Sequence, residues 1–208
     1  MQDTRCAGAA ENWAKCGFLL AIVMLGACDS ANFKPGEERL LSVTVDDQNR
    51  IFTLYIPDRY DKSQGSPLLF AFHGTPGNGP GMRKSTHLDE IADRQGWLIS
   101  YPDGLNGEWA AGCLCSGVDR AGINDVEFIS RMIARIQSEY IVDTNRIYSV
   151  GFSSGGIMNY RISCDLNEIF AATASIASSM TWAQAETCTP SKPTPVLAMI
   201  GTEDESFP

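Results

Sequence analysis

Apolar and polar positions along the chain follow two periods in turn. Leu40 to Val45 and Arg50 to Ile56 read as two strands joined by the turn Asp46-Asp47-Gln48-Asn49, an antiparallel opening pair. In the second, Phe52, Leu54 and Ile56 share one face, because side chains alternate along a strand. Leu68-Leu69-Phe70-Ala71-Phe72 is apolar without a break, as expected of a strand covered on both faces. Leu88 to Gln95 is a helical piece, followed by a strand from Trp97 to Tyr101. The clearest helix runs from Asn124 to Tyr140, where Val126, Ile129, Ile133, Ile136 and Tyr140 recur at three- and four-residue steps. Arg146 to Val150 is the next strand, a helix opens near Ser154, and Ala171 to Ile176 is strand-like. Pro190, Pro193 and Pro195 lead into a last strand, Val196 to Ile200. Strands alternating with helices predict an α/β fold, a mostly parallel sheet with helices on both faces.

The first residues read as a leader rather than as fold. Gly17 to Ala27 is an uncharged apolar run between Lys15 and Asp29. A bilayer-spanning helix takes roughly 20 apolar residues, so this run is short for an anchor and fits the core of a signal peptide. It ends in Leu25-Gly26-Ala27-Cys28, which resembles the processing site of bacterial lipoproteins, where Cys28 becomes the lipid-modified first residue. The expected organisation is a signal peptide over 1–27, a linker over 28–38 and one catalytic-sized domain over 39–208. A buried helix or a plain secretory signal is the alternative for the apolar run.

Composition narrows the partners. Sixteen Lys and Arg against 25 Asp and Glu leave a formal charge of −9. Nucleic acid or an anionic membrane surface would reward a basic face, so neither is expected as a partner. The membrane is met only through the lipid on Cys28.

Of seven cysteines, Cys6 and Cys16 fall in the leader and Cys28 at its end. Four remain, Cys113, Cys115, Cys164 and Cys188, an even number suited to an oxidising compartment. Cys113 and Cys115 are too close in sequence to bridge comfortably, so each is expected to reach Cys164 or Cys188. A metal site at the Cys-x-Cys is the rival, but neither of the two histidines lies near it. No metal is expected.

Gly151-Phe152-Ser153-Ser154-Gly155 sits where a strand hands over to a helix. There the serine must occupy a tight, strained turn that lifts its Oγ above the sheet, and the glycines leave room for strand and helix to pass. The same turn puts the Ser154 amide at a helix N-terminus, where it can stabilise an oxyanion. His73-Gly74-Thr75 follows the buried strand, and Gly77, Gly79 and Gly81 keep that loop free of bulk. These glycines do not match the dinucleotide fingerprint, given the prolines among them and no helical pattern behind them. His73 reads as structural, and His87 as a solvated residue at a helix start.

His73-Gly-Thr, Tyr101-Pro-Asp-Gly, Trp109, Asn124-Asp125-Val-Glu-Phe, the Ser153 turn, Phe170-Ala-Ala and Gly201-Thr-Glu-Asp204 occur in that order. From Leu40 onward the chain resembles the esterases known as polyhydroxybutyrate depolymerases, feruloyl esterases and acetylxylan esterases. The resemblance implies an α/β-hydrolase fold and a cofactor-free Ser-His-Asp mechanism on small-molecule or polymeric esters. It implies Ser153 as nucleophile, Asp204 as the acid that holds a histidine, and Thr75 and Ser154 as oxyanion donors. Asp125 is expected to be a structural helix-start residue, and Trp109 and Trp182 either border an aromatic-acid pocket or belong to the core.

One element of that pattern is absent. The family order is serine, acid, histidine, and both His73 and His87 precede Ser153. Losing the base costs on the order of a million-fold in turnover in comparable serine hydrolases. The expectation is therefore a chain truncated at its C-terminus, lacking the last strand and helix, and inactive or nearly so. A non-catalytic ligand-binding lipoprotein and a peptidase on the same fold are the rival readings.

Overall fold

The computed structural model describes residues 36–206. The proposed leader over 1–27, its apolar run and Cys28 lie outside the described residues, as does most of the linker. Among the described residues no helix is long and apolar enough to cross a membrane.

The first two strands, β1 (Glu37–Val45) and β2 (Gln48–Ile56), form a hairpin in which Val45 pairs with Gln48. Only Asp46 and Asp47 make the turn, both with positive φ (46° and 61°), the two-residue geometry whose twist matches the strands. Gln48 and Asn49, expected in the turn, are strand residues.

The remaining strands are β3 (Ser66–Phe72), β4 (Leu98–Pro102), β5 (Val142–Phe152), β6 (Ala172–Ile176) and β7 (Val196–Met199). They join the hairpin in one sheet of order β1-β2-β4-β3-β5-β6-β7. The pairs β1–β2 and β2–β4 are antiparallel, and every pair from β4 to β7 is parallel. The α/β expectation holds.

Both faces of β3 are covered, as its unbroken apolar run requires. Leu68, Phe70 and Phe72 join one core with Trp109, Phe128, Met132, Ile162 and Phe170. Ala71 lies in a second, smaller core with Tyr55, Met82, Ala92, Ile99 and Tyr101. The helices dividing this work are α1 (Gly79–Thr86) and α2 (Leu88–Gln95) on the smaller core, and α4 (Asp125–Gln137) and α5 (Ser154–Asp165) on the larger. Two short helices, α3 (Gly117–Arg120) and α6 (Trp182–Thr187), complete the set.

Helix α1 replaces the loop expected across Gly77–Gly81. Asn78 caps it by accepting a hydrogen bond from the Gly81 amide at 2.8 Å, and Pro80 sits in its first turn, where a missing N–H costs nothing. Helix α4 begins at Asp125 with Asn124 as its cap. Asp125 is fully buried; its carboxylate pairs with Arg50 at 2.6 Å and accepts the Ala110 amide at 2.7 Å. That confines Asp125 to a structural role at the helix start.

The disulfides differ from expectation. Cys113 bonds Cys115 (Cα–Cα 5.1 Å), and Cys164 bonds Cys188 (Cα–Cα 5.3 Å). Leu114 adopts φ 56°, which folds the chain back and brings its two neighbours within bridging range. Both sulfurs of the Cys-x-Cys are thereby used beside the carboxylate of Asp119, which accepts the Gly112 and Leu114 amides. Among the described residues β7 pairs only with β6, and its Leu197 and Met199 are more than half exposed.

Candidate active site

Ser153 is held in a conformation that non-glycine residues avoid, φ 53° and ψ −121°, between the end of β5 and the start of α5. Its backbone is pinned from both sides. The Ser153 amide donates to the Ile176 carbonyl at 2.9 Å, and its own carbonyl accepts from the Gly156 and Ile157 amides. Although Ser153 occupies the cap position of α5, its side chain makes no cap hydrogen bond. The hydroxyl is therefore not spent on the helix.

The flanking glycines are required by contact. A Cβ on Gly151 would lie 2.2 Å from the Gly155 carbonyl oxygen. One on Gly155 would lie 2.4 Å from the carbonyl oxygen of Phe72 and 2.6 Å from that of His73. Helix α5 thus rests directly on the end of β3. That contact brings the first turn of α5 beside the loop that follows β3.

Thr75 stands in that loop, and its Oγ1 lies 2.8 Å from Ser154 Oγ. The Ser154 amide is one of the N-terminal amides of α5 that no helix carbonyl reaches. The structure therefore brings Ser153, Ser154 and Thr75 together, as the sequence suggested. A cavity of about 400 Å³ opens beside them, lined by Gly74, Thr75, Pro76 and Ser153 together with Met82, Ser85 and Phe152. Met82 and Ser85 come from α1 and escaped the sequence reading, because a Gly- and Pro-rich opening hides a helix.

His73 is buried and fully engaged. The Gly104 amide donates to its Nε2 at 3.0 Å, so the proton sits on Nδ1, which lies 2.9 Å from the Gly74 carbonyl oxygen and donates to it. Burial holds its pKa below the usual histidine value. Its ring packs on Trp109 with centroids 4.8 Å apart, and Trp109 Nε1 donates to the His73 carbonyl at 2.8 Å. Trp109 is core and is not among the residues that line the cavity beside Ser153. His87 is the αL residue (φ 50°) that joins α1 to α2, largely exposed, its nearest carboxylate on Glu90. Trp182 is exposed too, donating to Glu186.

Asp204 lies in the turn after β7, where its amide donates to the Gly201 carbonyl at 3.1 Å and its carboxylate accepts the Ser206 amide at 2.9 Å. Strands β5, β6 and β7 are parallel neighbours, so the residues that follow β5 and β7 emerge at the same edge of the sheet. Ser153 and Asp204 therefore share an edge. A further residue absent from the sequence reading is Gln184, buried on α6, whose Nε2 donates to the carbonyls of Ala111 and Ile157. It ties the disulfide loop to the first turn of α5.

A mostly parallel sheet bearing a serine on a strained strand-to-helix turn defines an α/β-hydrolase fold. Residues 51–191 match the family model described as esterase PHB depolymerase, and the chain belongs to that family. Feruloyl esterase B of Piromyces equi is 30% identical over 154 residues, 71% of this chain and 28% of the relative. The putative esterase NocK of Nocardia uniformis subsp. tsuyamanensis is 29% identical over 167 residues, 80% of this chain and 48% of the relative. The chain thus spans less than half the length of these two relatives. Among solved structures, the acetyl xylan esterase from Aspergillus awamori superposes with a TM-score of 0.56 at 22% identity, covering 67% of this chain and 51% of that one.

Proposed function

We propose that the chain carries the nucleophile of a carboxylic-ester hydrolase that works through a serine acyl-enzyme. The observation that carries this reading is Ser153 at φ 53°, its hydroxyl uncommitted to the helix and lining a cavity beside the Thr75 loop. Strain of this kind persists where the surroundings enforce it, and it is characteristic of reactive sites.

In the proposed reaction Ser153 Oγ attacks the ester carbonyl carbon and gives up its proton. The amides of Thr75 and Ser154 hold the resulting oxyanion. The tetrahedral centre collapses, the C–O bond to the alcohol breaks, and the alcohol leaves with the proton. Water then cleaves the acyl-serine bond and releases the acid. Asp204 is the carboxylate assigned to orient the base. Neither histidine of this sequence fits the base itself: both ring nitrogens of His73 are engaged, and His87 stands outside the lining of the cavity. By themselves these 208 residues are therefore proposed to be catalytically silent or nearly so.

The substrates proposed are feruloyl or acetyl esters of polysaccharides, or polyesters of the polyhydroxyalkanoate type. An exported, lipid-anchored protein is the proposed setting, and the two disulfides suit an oxidising compartment. The locked His73 favours one rival, a pocket that binds an acyl group or glycan without turning it over. Treating the chain with a fluorophosphonate in the presence of imidazole, followed by peptide mapping, tests the assignment. The adduct is expected on Ser153; an adduct only elsewhere overturns it.

A further inference from the structure

The Cys113–Cys115 bridge differs from Cys164–Cys188 in size and in exposure. Its cysteines stand 2 residues apart in sequence, against 24 for the other pair. A bridge stabilises largely by the freedom it removes from the unfolded chain, which grows with loop length, so the smaller ring contributes less. Cys115 is exposed and Leu114 is 66% exposed, whereas Cys164 is buried. Thiol exchange needs access to a sulfur, so a dithiol opens Cys113–Cys115 first.

The loop does not depend on the bridge for its shape. Asp119 accepts the Gly112 amide at 3.0 Å and the Leu114 amide at 2.6 Å. Arg120 donates to the Leu114 carbonyl at 3.1 Å. Ser116 Oγ accepts the Asp119 amide at 3.0 Å and donates to the Trp109 carbonyl at 2.9 Å. None of these hydrogen bonds involves sulfur, so reduction leaves both sulfurs beside Asp119. The two sulfurs and a carboxylate oxygen of Asp119 lie within 4.8 Å of one another. A carboxylate has about four acceptor positions, and the loop amides take only two of them. Thiolates on a tetrahedral Zn²⁺ stand roughly 3.8 Å apart at bonds of about 2.3 Å. Cα atoms 5.1 Å apart allow that separation by side-chain rotation alone.

We propose that this loop, once reduced, binds a thiophilic divalent cation of the Zn²⁺ class through Cys113 Sγ, Cys115 Sγ and an oxygen of Asp119, with water as the fourth ligand. A dithiol gives two electrons and two protons to the S–S bond and leaves as its own disulfide. Each thiol then loses its proton as its sulfur binds, so one cation displaces two protons. Two thiolates and a carboxylate bring three negative charges, and the cation cancels two. The remaining charge stands beside the Arg120 guanidinium that holds Leu114. Soft sulfur ligands select against Ca²⁺ and Mg²⁺, which require oxygen.

Zn²⁺ titration of the full chain, either oxidised or reduced with dithiothreitol and desalted under nitrogen, tests the site against a Cys113→Ser/Cys115→Ser double variant treated alike. The remaining cysteines are common to both proteins, so any difference belongs to the loop. The reduced chain is expected to bind one more equivalent of Zn²⁺ than the reduced double variant, and the oxidised chain no more than the oxidised one. With Co²⁺ in place of Zn²⁺, the additional equivalent carries sulfur-to-cobalt charge-transfer absorption. Asp119→Asn weakens that site by about tenfold or more, since even groups that only orient a metal's ligands are worth about 10- to 100-fold. The double variant keeps the cooperative unfolding of the oxidised chain, because the loop's hydrogen bonds hold without the bridge. Equal uptake by the reduced chain and the reduced double variant overturns the proposal. Unchanged affinity in Asp119→Asn, or a double variant that fails to fold, overturns it as well.

Discussion

The hydroxyls of Thr75 and Ser154 lie 2.8 Å apart and join the loop after β3 to the first turn of α5. Each of the two proposed oxyanion amides belongs to one of these residues, so this hydrogen bond sets their spacing. Thr75→Val keeps the branched shape and removes the link. Removing an oxyanion donor outright costs about a hundred- to a thousandfold. Loosening two donors without deleting either is expected to slow fluorophosphonate labelling of Ser153 by about tenfold, with thermal stability nearly unchanged. Unaltered labelling would show that backbone contacts alone fix the spacing.

Ser153 stores backbone strain that glycine would not feel. Conformations of this kind cost on the order of 1–3 kcal/mol, and part of that is returned by the greater freedom of glycine in the unfolded chain. Ser153→Gly is therefore expected to stabilise the fold by about 1 kcal/mol while ending all labelling. In a domain of this size that corresponds to a rise of about 2–4 °C in Tm. A lower Tm in calorimetry would show that the serine is not strained.

Gly155 is the point where α5 touches the end of β3, with room for no side chain. Gly155→Ala forces helix and strand apart and is expected to destabilise the chain by about 1–3 kcal/mol or more. Gly122, whose added Cβ would meet nothing within 4 Å, is the control for generic effects, although its φ of 72° carries its own cost. Urea unfolding of both variants distinguishes contact at Gly155 from backbone strain alone, and equal losses would contradict the close approach.

Burial lowers the pKa of His73 in the folded chain. The unfolded chain then binds the proton first as pH falls, so stability rises with pH across this range. The contribution of His73 is fully present above about 6.5, the unfolded value, and declines as pH drops toward the lower folded value. Urea midpoints measured between about pH 7 and pH 5 are expected to fall, and His73→Gln is expected to flatten part of that slope. Nuclear magnetic resonance of the imidazole gives a second check: it titrates below the ordinary histidine value, and the neutral ring carries its proton on Nδ1. An imidazole titrating at the ordinary value would contradict its burial and its two hydrogen bonds.

The elbow was readable in the sequence because its demands are local. Two glycines flanking a serine after an apolar strand are dictated by backbone contacts that no other residue type permits. The sheet was readable for a similar reason, since the unbroken run Leu68–Phe72 states that both faces are covered. Helix α1 was hidden, because Gly79, Pro80 and Gly81 argue against a helix by propensity while Asn78 and the packing of Met82 build one. The cavity wall it supplies was hidden with it. The disulfide pairing turned on the φ of Leu114, a single torsion that residue spacing does not reveal. Gln184 carried no signal at all, since its two carbonyl partners, Ala111 and Ile157, are distant in sequence.

The central claim is that Ser153 is a nucleophile for which neither histidine here serves as base. The most direct test is hydrolysis of p-nitrophenyl acetate by the chain and by Ser153→Ala, with and without added imidazole as a surrogate base. The predicted result is equal, background rates for the two proteins in its absence, and a saturable excess for the Ser153 chain in its presence. Ser153-dependent turnover without imidazole would show that the chain holds a working base. Equal rates with imidazole would remove Ser153 from the reaction.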